Sequence, residues 1–211
     1  MKIIGLLSRK GGVGKTTLAL HLAVLAQAAG RRTLLVDLDP QRSAAQWWMA
    51  RETETPQLVE TEPAKLRDLL ESAREDGVDT VVVDTRPTAA ADAVYVAGCC
   101  DLLVIPTRPA ILDMRAILAT LDVVKGAARR STIVLNACPP ARGAGEASMT
   151  VDARHALAGF GVPVSPAAIT QRTGFATALI TGQTACEVDP SGKGAREMRA
   201  LWKNVEKELH R

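Results

Sequence analysis

The sequence predicts an α/β fold, a doubly wound and mostly parallel sheet with helices on both faces, and three observations carry the prediction. Short runs rich in Ile, Val and Leu alternate with longer stretches of helical periodicity, as they do where each strand crosses to the next through a helix. Those runs are apolar at successive positions instead of every second one, so each strand is expected to be buried on both faces. A glycine-rich loop separates the first strand pattern from the first helical one, as in phosphate-binding α/β units.

Taken in order, residues 2–8 read as a strand, 15–29 as a helix stopped by Gly30, and 33–37 as a strand. Residues 43–52 read as a helix, 57–60 as a short strand, 63–75 as a helix, and 80–84 as a strand followed by a helix through Ala97. The alternation continues with a strand over 102–106, a helix over 112–125 and a strand over 132–136. Pro139, Pro140, Gly143 and Gly145 then mark a loop before a helix over 147–158, and Pro163 and Pro166 bracket a short extended piece. A helical stretch over 173–181 follows. The turn Asp189-Pro190-Ser191-Gly192 leads into a last helix that runs to Arg211.

A chain of 211 residues with 47% hydrophobic content can bury one core, so residues 1–211 are read as a single domain. The formal net charge of +3 is too small to announce a nucleic-acid binder by itself but leaves room for a local patch. No stretch reaches the roughly 18 apolar residues of a membrane span, and no secretory leader is evident, which points to the cytoplasm. The four cysteines (Cys99, Cys100, Cys138, Cys186) show no zinc or redox spacing and read as small buried apolar residues.

The chemistry begins in the loop Lys10-Gly11-Gly12-Val13-Gly14-Lys15-Thr16-Thr17. Glycines let backbone N–H groups converge on phosphate oxygens, and the helix N-terminus adds its partial positive charge. Lys15 is expected to reach the β and γ phosphates of ATP, and the Thr16 hydroxyl to coordinate Mg²⁺. A loop that already carries Lys15 does not need Lys10 for its own nucleotide, so Lys10 is expected to serve that of another subunit. Asp37, Asp39 and Asp84 close or follow apolar strands at the sheet edge where α/β folds place ligands, and are candidates for the metal and the attacking water. Asn136, at the end of another strand, is either a nucleotide contact or the cap of a turn.

The loop, the segment Val36-Asp37-Leu38-Asp39-Pro40-Gln41 and the strand Val81-Val82-Val83-Asp84-Thr85 resemble the deviant Walker A ATPases of the ParA/MinD group, a branch of the P-loop NTPases, over nearly the whole chain. The resemblance implies a homodimer sandwiching two ATP molecules, with Lys10 as the signature lysine reaching the partner's phosphates. It also implies Asp39 as the catalytic aspartate acting on water, Asp84 as the Walker B residue and Asn136 as an adenine contact. Many relatives have proline where this chain has Arg86.

Residues Ile169-Thr170-Gln171-Arg172 and 187–195 look like the corresponding region of small partition ParA proteins. With neither an N-terminal helix-turn-helix domain nor a membrane-targeting tail expected, the resemblance implies nonspecific nucleoid DNA and a ParB-like or cargo-adaptor protein as partners. In the last helix Met198, Leu201, Trp202, Val205 and Leu209 share one face and Arg196, Arg199, Lys203, Lys207 and Arg211 another. With Arg172 and Lys193, that basic face is either a solvated surface or a stripe for DNA phosphates. Of Trp47 and Trp48, at most one is expected to face the core fully. A positioner of protein cargo, a MinD-like membrane oscillator, and a ligase or iron-protein reductase on the same scaffold are the competing readings. Cys99 and Cys100, entering an apolar strand, argue against the last.

Overall fold

The computed structural model describes residues 1–87, 90–143 and 145–211. Its elements run β1 (Lys2–Leu6), α1 (Lys15–Ala28), β2 (Thr33–Asp37), α2 (Ser43–Met49), β3 (Gln57–Glu60), a 3-10 turn (Pro63–Lys65), α3 (Leu66–Glu75), β4 (Thr80–Asp84), α4 (Ala90–Cys99), β5 (Leu102–Thr107) and α5 (Ile111–Ala127). They continue with β6 (Arg130–Leu135), α6 (Ser148–Ala158), α7 (Thr173–Ile180), α8 (Ala185–Val188) and α9 (Lys193–Leu209). Residues 88 and 89, where the chain enters α4, and Ala144, in the proline and glycine loop, lie outside the described residues.

The sheet order is β3-β2-β4-β1-β5-β6, and every pairing is parallel, because each strand is reached through a crossover. Successive residues of one strand feed opposite layers. Ile4 and Leu6 pack with α1 and α9 on one side, whereas Ile3 and Leu7 pack with the helices α3 to α6 on the other. Central β4 divides likewise, Val82 to the first layer and Val81 and Val83 to the second. Chain direction across the sheet reverses beside β1, so the loops after β1, β2, β4 and β5 open onto one crevice at the strands' C-terminal ends.

The extended piece between Pro163 and Pro166 runs alongside β6. Ile133 donates its N–H to the Pro163 carbonyl at 2.8 Å, and Ser165 and Ile169 donate back to the Ile133 and Leu135 carbonyls at 2.7 and 2.9 Å. Pro166 has no N–H to offer, so the ladder breaks into isolated bridges instead of a seventh strand. α2 stops at Met49, short of the expected 52, as the chain tightens through Ala50 and Arg51 N–H groups bonded three residues back. The four-residue α8 has too little length for a periodic signal, although Thr184 and Glu187 form a capping box around it.

The apolar face expected of α9 is buried as a unit, with Met198, Leu201 and Val205 at 0% exposure. Leu201→Ala is expected to cost about 2–4 kcal/mol, combining lost transfer energy with a cavity under the sheet. A urea unfolding midpoint lowered at unchanged m-value checks this.

Candidate functional site

The loop between β1 and α1 is shaped by two glycines that no other residue replaces without strain. Gly12 and Gly14 have φ of +71° and +92°, and a Cβ on Gly14 would lie 2.1 Å from the Asn136 side-chain nitrogen. That nitrogen donates to the Val13 carbonyl at 2.7 Å, so Asn136, just past β6, braces the loop from behind. Arg108, just past β5, holds it from outside through a bond from its guanidinium to the Gly12 carbonyl. Gly14 serves as the N-cap of α1 with no side-chain cap, and no acidic residue occupies the first turn. The orphan N–H groups therefore face the crevice uncompensated, an anion-binding arrangement.

Lys15 is buried at the start of α1, its ammonium donating to the Lys10 carbonyl at 3.4 Å. Burial lowers its pKa, while the negative charges of Asp84 and Asp39 pull it back up. Lys10 points elsewhere. Its ammonium lies 2.7 Å from an Asp113 carboxylate oxygen on the first turn of α5, and the Lys10 side chain keeps 36% of its exposure. The two lysines of one loop are thus segregated, one turned into the loop and one outside it against a neighbouring helix.

The three aspartates differ as sharply. Asp37 ends β2 with both oxygens in use, accepting from the Asp39 N–H at 2.9 Å and the Ala45 N–H at 3.2 Å. Burial raises its pKa against those two hydrogen bonds. The carboxylate of Asp37 thereby hangs α2 from the end of β2. Asp39 is half-buried and accepts from the Gln41 N–H at 3.0 Å.

Asp84 lies beside Asp37 in the parallel register. It is 0% exposed, and neither carboxylate oxygen has a hydrogen-bond partner. Burial pushes its pKa up to about 7, with the Thr16 hydroxyl and the Lys15 charge opposing and the charges of Asp37 and Asp39 reinforcing. An orphaned buried carboxylate beside a threonine hydroxyl is a donor set of hard oxygens that fits Mg²⁺. Among the described residues no cluster of three or more His, Cys, Asp or Glu forms a metal site of another kind.

The structure brings Lys15, Thr16, Asp37, Asp39 and Asp84 to one crevice, with Asn136 behind it. The basic residues lie apart, at α9 and the approach to α7. Arg172 pairs with Glu197 at 2.6 Å, and the Arg196 and Arg199 guanidiniums donate to the Ser191 and Pro190 carbonyls. Lys193, Lys203 and Lys207 are exposed on the same side. Trp47 is 4% exposed, and Trp48 is half-buried with its indole N–H on the Pro56 carbonyl at 2.9 Å. Sequence reasoning missed Arg108 and Asp113. Their position just beyond the C-terminal end of β5, at the crevice, was the available signal.

A model of the CobQ/CobB/MinD/ParA nucleotide-binding domain matches residues 4–185. The maintenance of carboxysome distribution protein A of Gloeobacter kilaueensis is 39% identical over 100% of this chain and 94% of its own length. The chromosome-partitioning ATPase Soj of Thermus thermophilus is 28% identical over 96% of this chain and 94% of its own. Among solved structures, apo McdA of Cyanthece superposes with a TM-score of 0.78 at 17% identity, covering 99% of both chains. The septum site-determining protein MinD of Pyrococcus horikoshii, complexed with Mg-ADP, superposes at 0.77 and 20% identity over 98% of this chain and 96% of its own.

Proposed function

We propose, starting from a chain that belongs to the CobQ/CobB/MinD/ParA nucleotide-binding family, that it is a ParA-type ATPase whose ATP-bound dimer sits on nonspecific DNA and positions cargo there. The observation that carries the reading is the pair of lysines in one loop. Lys15 occupies the interior, where it would neutralise the chain's own phosphates. Lys10 stands outside, on Asp113, and in this reading serves a facing subunit.

In this reading the loop N–H groups of residues 11–17 and Lys15 hold the phosphates, and Thr16 and Asp84 hold Mg²⁺, with the Asp37 charge alongside. A bound Mg²⁺ would supply charge neutralisation to the phosphates. Asp39, held at the crevice mouth by the Gln41 N–H, orients the attacking water, and Asn136 fixes the wall behind the nucleotide. A weak contact between the α9 lysines and DNA phosphates is doubled by dimerisation, which makes DNA affinity respond to nucleotide.

Cargo of protein is favoured by the 39% identity to a carboxysome distribution protein over the whole chain. Partition of DNA, with a ParB-like partner stimulating hydrolysis, is the second reading, supported by the similarity to Soj. No helix among the described residues is long and apolar enough to cross a membrane.

The test is a DNA titration with ATP, ADP and no nucleotide. Wild type should bind DNA at least ~10-fold more tightly with Mg²⁺-ATP than with ADP, and Lys203→Glu with Lys207→Glu should weaken binding and flatten its salt dependence. DNA affinity indifferent to nucleotide would sink the reading. Affinity purification from the native cell then separates the two cargos, by whether the retained partner belongs to a protein assembly or to a DNA site.

A further inference from the structure

The segment that joins the nucleotide crevice to the basic surface is fastened at Arg51 by a cluster of contacts from a single guanidinium. Arg51, just past α2, keeps only 7% of its side-chain exposure. Its guanidinium forms a two-pronged pair with Glu187 of α8 at 2.6 and 3.2 Å, donates to the Gly182 carbonyl at 2.7 Å and to the Thr55 carbonyl at 2.7 Å, and lies 4.9 Å over the Trp47 ring. Trp47 adds a bond from its indole N–H to the Gln183 carbonyl at 3.0 Å. Gly182 has φ +67°, and a Cβ there would lie 2.3 Å from the Arg51 nitrogen, so the backbones of 51 and 182 are pressed together.

Both ends of this fastening lead somewhere. Upstream, α2 hangs from Asp37 through the Ala45 N–H, and Asp37 in turn accepts from Asp39, so displacement of the carboxylates at the crevice displaces α2. Downstream, α8 passes through four residues into α9, where the lysine stripe begins. A second tie runs in parallel. The buried His21 bonds the Thr17 carbonyl at 2.7 Å through Nδ1 and accepts the Ala185 N–H at 3.0 Å through Nε2, which fixes the proton on Nδ1. Thr17 adjoins Thr16, and Ala185 is the first residue of α8. A planar guanidinium spanning a carboxylate and two carbonyls transmits orientation as well as attraction, which a point charge does not.

We propose that Arg51 is a positioning residue that couples the state of the nucleotide crevice to the α8–α9 approach, so that occupancy at the phosphate loop is read at the basic surface within one subunit. This rests on the nucleotide reading of the loop and not on the identity of the cargo. Glu187 is the other half of the device. The hydrogen bonds from Arg51 and Thr184 hold its carboxyl below the usual range, although burial works the other way, so it stays charged for its partner.

The experiment is backbone hydrogen exchange with and without Mg²⁺ and a non-hydrolysable ATP analogue, on wild type, Arg51→Lys and Glu187→Gln. In wild type the analogue slows exchange both in residues 11–17 and in residues 182–196. In Arg51→Lys, which keeps the charge but loses the fork, the response of 182–196 falls by about 5-fold or more while that of 11–17 persists. Glu187→Gln gives the same result from the other side and keeps an acceptor for Thr184, which guards against a variant that fails to fold.

Absence of a wild-type response in 182–196, or its survival in both variants, overturns the coupling. Loss of the 11–17 response along with it in both variants also overturns it, since Arg51 would then only hold the fold together. A protein coupled in this way whose DNA binding ignores nucleotide overturns the proposed function and leaves the coupling standing.

Discussion

Asp84→Asn is expected to make the nucleotide-free protein more stable and to lower Mg²⁺-dependent turnover by about 100-fold or more. Both effects come from one fact, a fully buried carboxylate whose desolvation outweighs the nearby Thr16 hydroxyl and Lys15 charge. Its pKa of about 7 in the folded chain, against 3.8 unfolded, means that the folded state binds the extra proton between those values. Stability therefore falls as pH rises from about 4 to about 7 and stays reduced above it. Some three units correspond to at most about 4 kcal/mol. An asparagine whose amide finds no partner gives back about 1–3 kcal/mol of that. The variant should thus gain about 1–3 kcal/mol at pH 8 and lose about 1–3 kcal/mol near pH 3, where the aspartate is largely protonated in both states and only the cost of the unpartnered amide remains. Urea unfolding at both pH values measures it, and a variant less stable than wild type at pH 8 would refute the account. The loss of turnover follows if Asp84 holds the ion as proposed, because the asparagine offers it no charge; the stability gained by the mutation is then what a metal site gives up.

That site was legible in the sequence to an uneven degree, for physical reasons. The glycine loop is local: its glycines, Lys15 and Thr16 lie within eight residues between a strand and a helix, and the roles proposed for them follow from spacing. Asp84 was legible because an acidic residue closing a run of valines stands out against its own strand. Asp113 was not, since an aspartate in the first turn of a helix serves the helix dipole wherever it occurs, and nothing near it announces that Lys10 lies 2.7 Å away across 103 positions of chain. Arg51 and Glu187 escaped for the same reason, each looking like one more solvated charge. The α9 stripe was read correctly as a shared face. Sequence periodicity did not reveal that the Arg196 and Arg199 guanidiniums are tied to the carbonyls of the preceding turn, leaving the lysines as its freer cations. The sheet is likewise all parallel where the reading allowed an exception, because all six strands are joined by crossovers.

Lys10→Ala and Asp113→Asn are expected to act in opposite directions on ATP-driven dimerisation, and by different amounts. In the proposed dimer Lys10 exchanges Asp113 for phosphates of the facing subunit, a charge-assisted contact formed in a site that closes as the two chains meet. Its removal should weaken the dimer with a non-hydrolysable ATP analogue by about 100-fold, with the analogue still bound through Lys15 and the loop. Asp113 opposes the exchange only as far as its pair with Lys10 must be broken. With the Lys10 side chain 36% exposed, each of the dimer's two such pairs is worth about 0.5 kcal/mol, so Asp113→Asn should tighten the dimer by only about 5-fold. Sedimentation equilibrium with the analogue reads both. Undiminished dimerisation of Lys10→Ala would return that lysine to the status of a surface charge. A weakened dimer in Asp113→Asn would mean that the carboxylate belongs to the interface itself instead of restraining the lysine that makes it. The asymmetry in size is the informative part, since a generic change in loop charge would move the two variants by comparable amounts.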